Sequence, residues 1–360
     1  MAKRLFWLNG IAILAVVINH AIGWGFTAMF WWTDRYRDTV VPNFDAIDSP
    51  MYIIMVILKQ ITPFSLPAFV AVSGYFIAFA SRSGLTWKMI SARLKGILIP
   101  YALWSLLVML FDHLLLDAPL SFSGILTKLL TGSASPIYYY VPLICQLFLL
   151  SPFLVRGIRS SEWKKVLAGM GILQGITIVW SYLALFKVFP WKPEWFFGNL
   201  GFIFTLSIAL NLRAEEIIPW LKKWRKVWLG ILIVSTPFAI VETEWFYRSY
   251  GIDWRGGVET FFATVFTLSL LLTFLTYDHI ALPQSATLYK LGQKAFGIYL
   301  MHPLVLEVTA KLVYHFAPSL LGIQWIFQPL LIATGIIIPW VSMKLMSATP
   351  LRKGYAYVFG

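Results

Sequence analysis

The sequence predicts an all-α polytopic membrane protein of about ten transmembrane helices, with both termini cytoplasmic. Three observations lead there. Of the 360 residues 59% are hydrophobic and only 12% charged, about half the charge of a soluble domain. The apolar stretches run unbroken for roughly 18 to 22 residues, the length a spanning helix needs, whereas a transmembrane barrel would alternate apolar and polar residues in short segments. The charges between the stretches are unevenly divided, with basic clusters on one side and most of the acids on the other.

The elements follow in order. The run at 5–24 comes behind MAKR, a basic start like that of a signal peptide. Gly23-Trp24-Gly25-Phe26 is a poor cleavage site, so the run reads as a retained first helix. The run at 52–80 is too long for one straight span and contains Pro63 and Pro67, so it bends or breaks there. Further spans are expected at 96–114, 138–155, 165–186, 196–212, 227–243, 258–277, 292–314 and 325–346. Trp24, Phe26, Phe30, Trp31 and Trp32 open the longest outer loop, about 25–50, and suit an interfacial aromatic belt.

Charge gives the orientation. If the helices cross in turn, one side holds Lys3, Arg4, Arg82, Lys88, Arg93, Lys95, Arg156, Arg159, Lys164, Lys165, Arg213, Lys222, Lys223, Arg225, Lys226, Lys290, Lys344, Arg352 and Lys353. The other holds Asp34, Asp38, Asp45, Asp48, Asp112, Asp117, Glu194, Glu244 and Asp253. The positive-inside rule puts the basic side in the cytoplasm. The net charge of +13 is therefore topology and lipid contact. It is split among short loops, and nucleic acid is not an expected partner. No repeat or soluble domain is seen, so 1–360 reads as one membrane domain. The single Cys145 excludes an intramolecular disulfide and suits a helix interior.

Polar residues inside the spans come next. His20 interrupts an apolar run, and Asn9, three turns or ~16 Å back, shares its stripe. A polar stripe on a spanning helix faces a bundle interior or cavity. It serves either an interhelical hydrogen bond or chemistry. Tyr299 and His302 share a face three residues apart, and Pro303 removes a backbone donor beside them. Glu307 is spaced to pair with Lys311. His113, His279 and His315 fall near helix ends, and no histidine pair or carboxylate cluster has metal-site spacing, so no metal is expected. Ser73-Gly74 offers small residues for a close approach of a helix or a ligand chain. Arg93 and Lys95 mark the mouth of the third span. They are either a topology signal or a phosphate clamp. No P-loop or GxGxxG pattern is present.

Several of these pieces, in order, resemble the acyltransferase 3 family of membrane proteins, which includes bacterial O-acetyltransferases of surface polysaccharides. They are GIAILAVVINHA, LPAFVAVSGYFIAF, ARLKGILIPYALWS, YYYVPLICQLFLLSPFL and LGQKAFGIYLMHPLVL. They span nearly the whole chain, and their shared order is more specific than any one of them.

The resemblance implies an acyl-CoA donor, with acetyl as the family's usual group, and a glycan or lipid-linked glycan hydroxyl as acceptor. It implies His20 as the catalytic histidine, as base or acyl relay, with His302 on the family's pattern in the ninth span. It places Arg93 and Lys95 near the CoA phosphates; Ser73 and Tyr299, read from their own positions, are expected beside the donor. It implies the inner (plasma) membrane, with lipids as neighbours. Family members usually carry an arginine eleven residues before the histidine and an aspartate three residues earlier; here Asn9 and Phe6 stand there, with Arg4 on a different face. Two other classes remain. One is a flippase for a lipid-linked glycan, with Lys59, Gln60 and Thr62 along its path. The other is an inactive relative serving as an assembly partner.

Overall fold

The computed structural model describes residues 2–189, 191–252, 260–283 and 285–360. Asp253 and the start of the span expected at 258–277 lie outside the described residues. Those residues form helices and no strand. Eight segments are long and apolar enough to cross a bilayer. They are α1 (Ala2–Phe30), the pair α2 (Pro50–Ile61) and α3 (Ser65–Ala80), α4 (Trp87–Leu116), α6 (Tyr140–Arg159), α7 (Trp163–Leu185), α10 (Arg225–Tyr250), α13 (Ala295–Phe316) and α14 (Gln324–Ala348). Two further expected spans are apolar but shorter: α8 (Gly201–Leu212) and α11 (Phe261–Thr276). At 1.5 Å per residue they reach about 18 and 24 Å, less than the ~30 Å of a hydrocarbon core.

The long second span breaks where its prolines predict. Pro63 has no N–H to continue α2, and α3 restarts at Ser65 with Pro67 in its first turn, where a missing donor costs little. α1 runs six residues beyond the expected end at 24. This corrects the aromatic belt in part. Phe26 and Phe30 turn inward and bury against Tyr52 of α2, while Trp24 meets Trp32 at a tilt and Trp32 meets Tyr314. Four short helices escape a search for spans: α5 (Phe122–Thr131), α9 (Ala214–Lys223), α12 (Ser285–Gln293) and α15 (Tyr355–Phe359).

α1 is the hub, packed against α2, α3, α12, α13 and α14. Glycines permit the closest crossing. A Cβ at Gly10 would stand 2.1 Å from the Leu288 carbonyl oxygen, and one at Gly292 1.9 Å from that of Phe6. Gly74 likewise lets α3 touch the α8 backbone. Cys145 is buried inside α6.

The basic segments gather at one end of the bundle. Arg4 donates to the carbonyls of Phe274, Tyr277, Asp278 and Ile280. Arg82 reaches Asn211, Arg159 reaches Ser81, and Arg213 bonds the carbonyls of Ile158, Arg159 and Ser160. Lys222 pairs with Asp278 at 2.8 Å and holds its carboxyl below the usual carboxylate range. These bonds tie together the start of α1 and the α3–α4, α6–α7, α8–α9 and α11–α12 junctions. Cations here also satisfy the orphan carbonyls at helix C-termini. The opposite end carries an acidic network in which Tyr52 and Arg248 both donate to Glu244, and Arg248 also grips Asp48.

Candidate functional site

Two histidines meet in the core. The His20 and His302 ring centroids are 5.6 Å apart, with planes inclined by 43°. α1 delivers the first and α13 the second. His302 is fully buried, whereas His20 stays partly accessible. Pro303 leaves the Tyr299 carbonyl without its i+4 donor, which loosens the turn. His302 Nδ1 bonds back to the Ile298 carbonyl at 3.0 Å. A carbonyl can only accept, so Nδ1 carries the proton and Nε2 is left as a base. That Nε2 is buried with no hydrogen-bond partner among the described residues. Glu307 pairs with Lys311 at 2.5 Å, as its spacing predicts, and takes no part in the pair.

A cavity of about 470 Å³ lies on the far side of Tyr299 from His302, with Arg93 and Lys294 in its wall. Its walls come from α1, α3, α4, α6, the α12–α13 junction and α15. Ser73, Arg93 and Tyr299, the residues expected beside a donor, all line it. Asn9 and Phe6, which depart from the family pattern, line it too. The Asn9 side-chain oxygen is buried without a hydrogen-bond partner among the described residues. Tyr299 separates the cavity from the histidines, its ring centroid 6.1 Å from that of His302. The Tyr299 hydroxyl donates to the Ile137 carbonyl, and Tyr138 donates back to the Leu300 carbonyl, so the 132–139 segment braces α13.

Lys95 is not part of this wall. It follows Arg93 by two residues, about 200° around α4, and its side chain is exposed. The second cation on the wall is Lys294, which sequence reasoning missed. The signal was present: Lys294 caps the N-terminus of α13, where the helix dipole disfavours a positive charge. Its ammonium lies 6.0 Å from the Trp340 ring centroid. Among the described residues no carboxylate pairs with Arg93 or Lys294.

Next to His20, Asn19 binds across to α2. Its Nδ2 donates to the Lys59 carbonyl at 3.1 Å and to Thr62 Oγ1 at 2.8 Å. Lys59 Nζ returns bonds to both Asn19 oxygens. No group of three or more His, Cys, Asp or Glu side chains that could hold a metal occurs among the described residues.

Comparison with known proteins adds to this geometry. A family model described as an acyltransferase domain matches residues 4–344. The chain is 20% identical over 258 residues to a protein of Staphylococcus aureus (strain MSSA476) named probable poly-beta-1,6-N-acetyl-D-glucosamine export protein. The match covers 69% of this chain and 71% of that protein. The protein of the same name in strain MRSA252 matches with the same identity and coverage. No solved structure matches.

Proposed function

Because this multi-pass membrane protein belongs to the acyltransferase 3 family, we propose that it transfers an acyl group, in the first instance acetyl, from acyl-CoA to a hydroxyl of a cell-surface or lipid-linked glycan. The observation that carries the reading is the His20–His302 pair lying one side chain, Tyr299, away from a cavity lined by Arg93 and Lys294.

With the basic end in the cytoplasm of a plasma membrane, the donor enters from that side. Arg93 and Lys294 meet its phosphates, Arg93 through two parallel bonds. The pantetheine arm runs past Ser73 and Asn9 toward Tyr299. The acyl carbonyl then reaches the histidines. His20 takes the acceptor hydroxyl's proton as that oxygen attacks the thioester carbon. The C–S bond breaks, and the proton returns to the thiolate. Such base catalysis contributes roughly 10²–10⁴-fold. A covalent relay through His20 uses the same arrangement. His302, its Nδ1 fixed by Ile298, leaves an unbonded Nε2 as an acceptor within the same pocket as His20.

The name of the Staphylococcus relative favours a second reading, movement of a glycan across the membrane. Here the polar residues of the broken second span, Lys59, Gln60 and Thr62, would line the path. One assay separates the two. Membranes with wild type or His20→Ala receive labelled acetyl-CoA, and label in glycan or lipid-linked glycan is followed. Ester formation by wild type alone supports transfer. Glycan movement with no ester in either sample overturns it in favour of transport.

A further inference from the structure

A lysine lies within the second membrane-spanning segment, and among the described residues no acid neutralises it. Lys59 occupies the last turn of α2, just before the break at Thr62 and Pro63. Its ammonium donates to the Asn19 backbone carbonyl at 3.1 Å and to Asn19 Oδ1 at 2.9 Å. Among the described residues no Asp or Glu pairs with it.

This lock between α1 and α2 does not need a charge. A neutral amide at position 59 could serve Asn19 without placing a cation in the bilayer, where it is expensive and marks function. The ammonium has three N–H groups, and two suffice for the Asn19 oxygens. It also keeps partial exposure instead of being sealed in. The residue it grips is the chain neighbour of His20.

We propose that Lys59 is a further catalytic residue, whose remaining N–H and charge hold the oxyanion that forms on the acyl carbonyl beside His20. The proposal rests on the acyl-transfer reading. In the direct route the acceptor oxygen bonds to the carbonyl carbon, the C=O π pair moves onto oxygen, and His20 takes the hydroxyl proton. The pair then returns, the C–S bond breaks with its electrons on sulfur, and His20 passes the proton to the thiolate. In the relay route, His20 nitrogen attacks first and the acceptor oxygen second, and the same oxygen becomes charged in each step. A preorganised donor in a water-poor site acts most strongly on such developing charge.

The test uses full-length protein in lipid nanodiscs with acetyl-CoA and the acceptor glycan, comparing Lys59→Met, Lys59→Gln, Lys59→Arg and Asn19→Ala. Loss of the charge in the Met and Gln variants is expected to lower kcat by about 10²–10³, the cost of one oxyanion donor, with little change in donor KM. Lys59→Arg keeps the charge and retains more activity than either. Asn19→Ala removes the side-chain bonds of the lock but leaves the ammonium and its bond to the backbone carbonyl, and loses far less. If Lys59→Met fails to fold, Lys59→Gln, which still offers donors to Asn19, carries the comparison. Near-wild-type kcat in the Gln variant overturns the proposal, and so does Asn19→Ala as damaging as the loss of charge. If wild type itself forms no ester, the function reading falls and this inference with it. Equal ester formation by wild type and Lys59→Gln removes the inference alone.

Discussion

The ring of His302 sits 5.6 Å from that of His20, while its own Nδ1 is tied to Ile298 at 3.0 Å. The two facts together define a direction. One nitrogen of His302 is fixed as a donor, so the buried Nε2 is a base with no protein partner among the described residues. Leaving a buried acceptor unbonded costs stability, and functional sites are where such costs are retained.

A histidine pair of this kind predicts unequal effects. His20→Ala should lower acyl transfer by at least ~10²-fold, the smaller end of what base catalysis supplies. His302→Ala should reduce kcat less and leave donor KM nearly unchanged, because His302 does not line the cavity and Tyr299 does. Steady-state kinetics of the two purified variants checks this. Equal losses confined to donor KM would place both residues in binding instead.

The cation pair at the cavity mouth gives a second prediction. Arg93→Ala and Lys294→Ala should each raise donor KM by roughly 10–100-fold. That is the loss of one hydrogen bond to a charged group, about 1.5–3 kcal/mol, converted at 1.4 kcal/mol per decade. Lys95→Ala should leave KM near wild type, since Lys95 is exposed and absent from the cavity wall. Titration of CoA binding by calorimetry reads the difference directly. A Lys95 effect as large as that of Arg93 would move the donor to another face of α4.

These two cases show what sequence could and could not supply. The charge-bounded apolar runs mark the eight long segments and the shorter α8 and α11, and Pro63 marks the break in the second. Arg93 stands out because a charge at a helix mouth is visible in one dimension. Lys95 looks equivalent there, and only the ~200° turn between them separates their faces. The pairing of His20 with His302 is tertiary, set by how α13 lies on α1, and no local pattern encodes it. Lys294 was legible in principle, as a cation at a helix N-terminus. The short helices α5, α9 and α12 were not, because a search by span length passes over them. α8 and α11 stop short of a full crossing where hydropathy alone drew longer runs.

The α1–α12 crossing yields a stability prediction. Gly10 and Gly292 bring two backbones together, and an added Cβ at either would meet a carbonyl oxygen at 2.1 or 1.9 Å. Backbone cannot swing aside as a side chain does. Gly292→Ala should therefore destabilise by more than the ~1–3 kcal/mol typical of overpacking, and shift the Phe6–Asn9 wall of the cavity with it. Thermal unfolding in detergent measures the first effect and donor KM the second. Unchanged values for both would mean that α12 is free to move off α1.

Arg4 decides whether the arginine missing at position 9 has been replaced from nearby. Its guanidinium donates to four carbonyls at the end of α11 and lies 4.9 Å from the Phe274 ring centroid. A side chain so engaged closes a helix C-terminus and is not available to a donor phosphate. Arg4→Met should therefore lower the unfolding temperature, by a loss on the order of 2 kcal/mol for a charged group's hydrogen bonds. Transfer per folded molecule should stay close to wild type. Asn9→Ala should do the reverse, because Asn9 lines the cavity and its buried oxygen has no bond to lose among the described residues: stability holds, while donor KM rises. Unfolding curves and steady-state kinetics on the two variants make the comparison. If Arg4→Met instead abolished transfer with its unfolding curve intact, Arg4 would be the donor-site arginine, displaced along α1, and the carbonyl bonds would describe only its resting position.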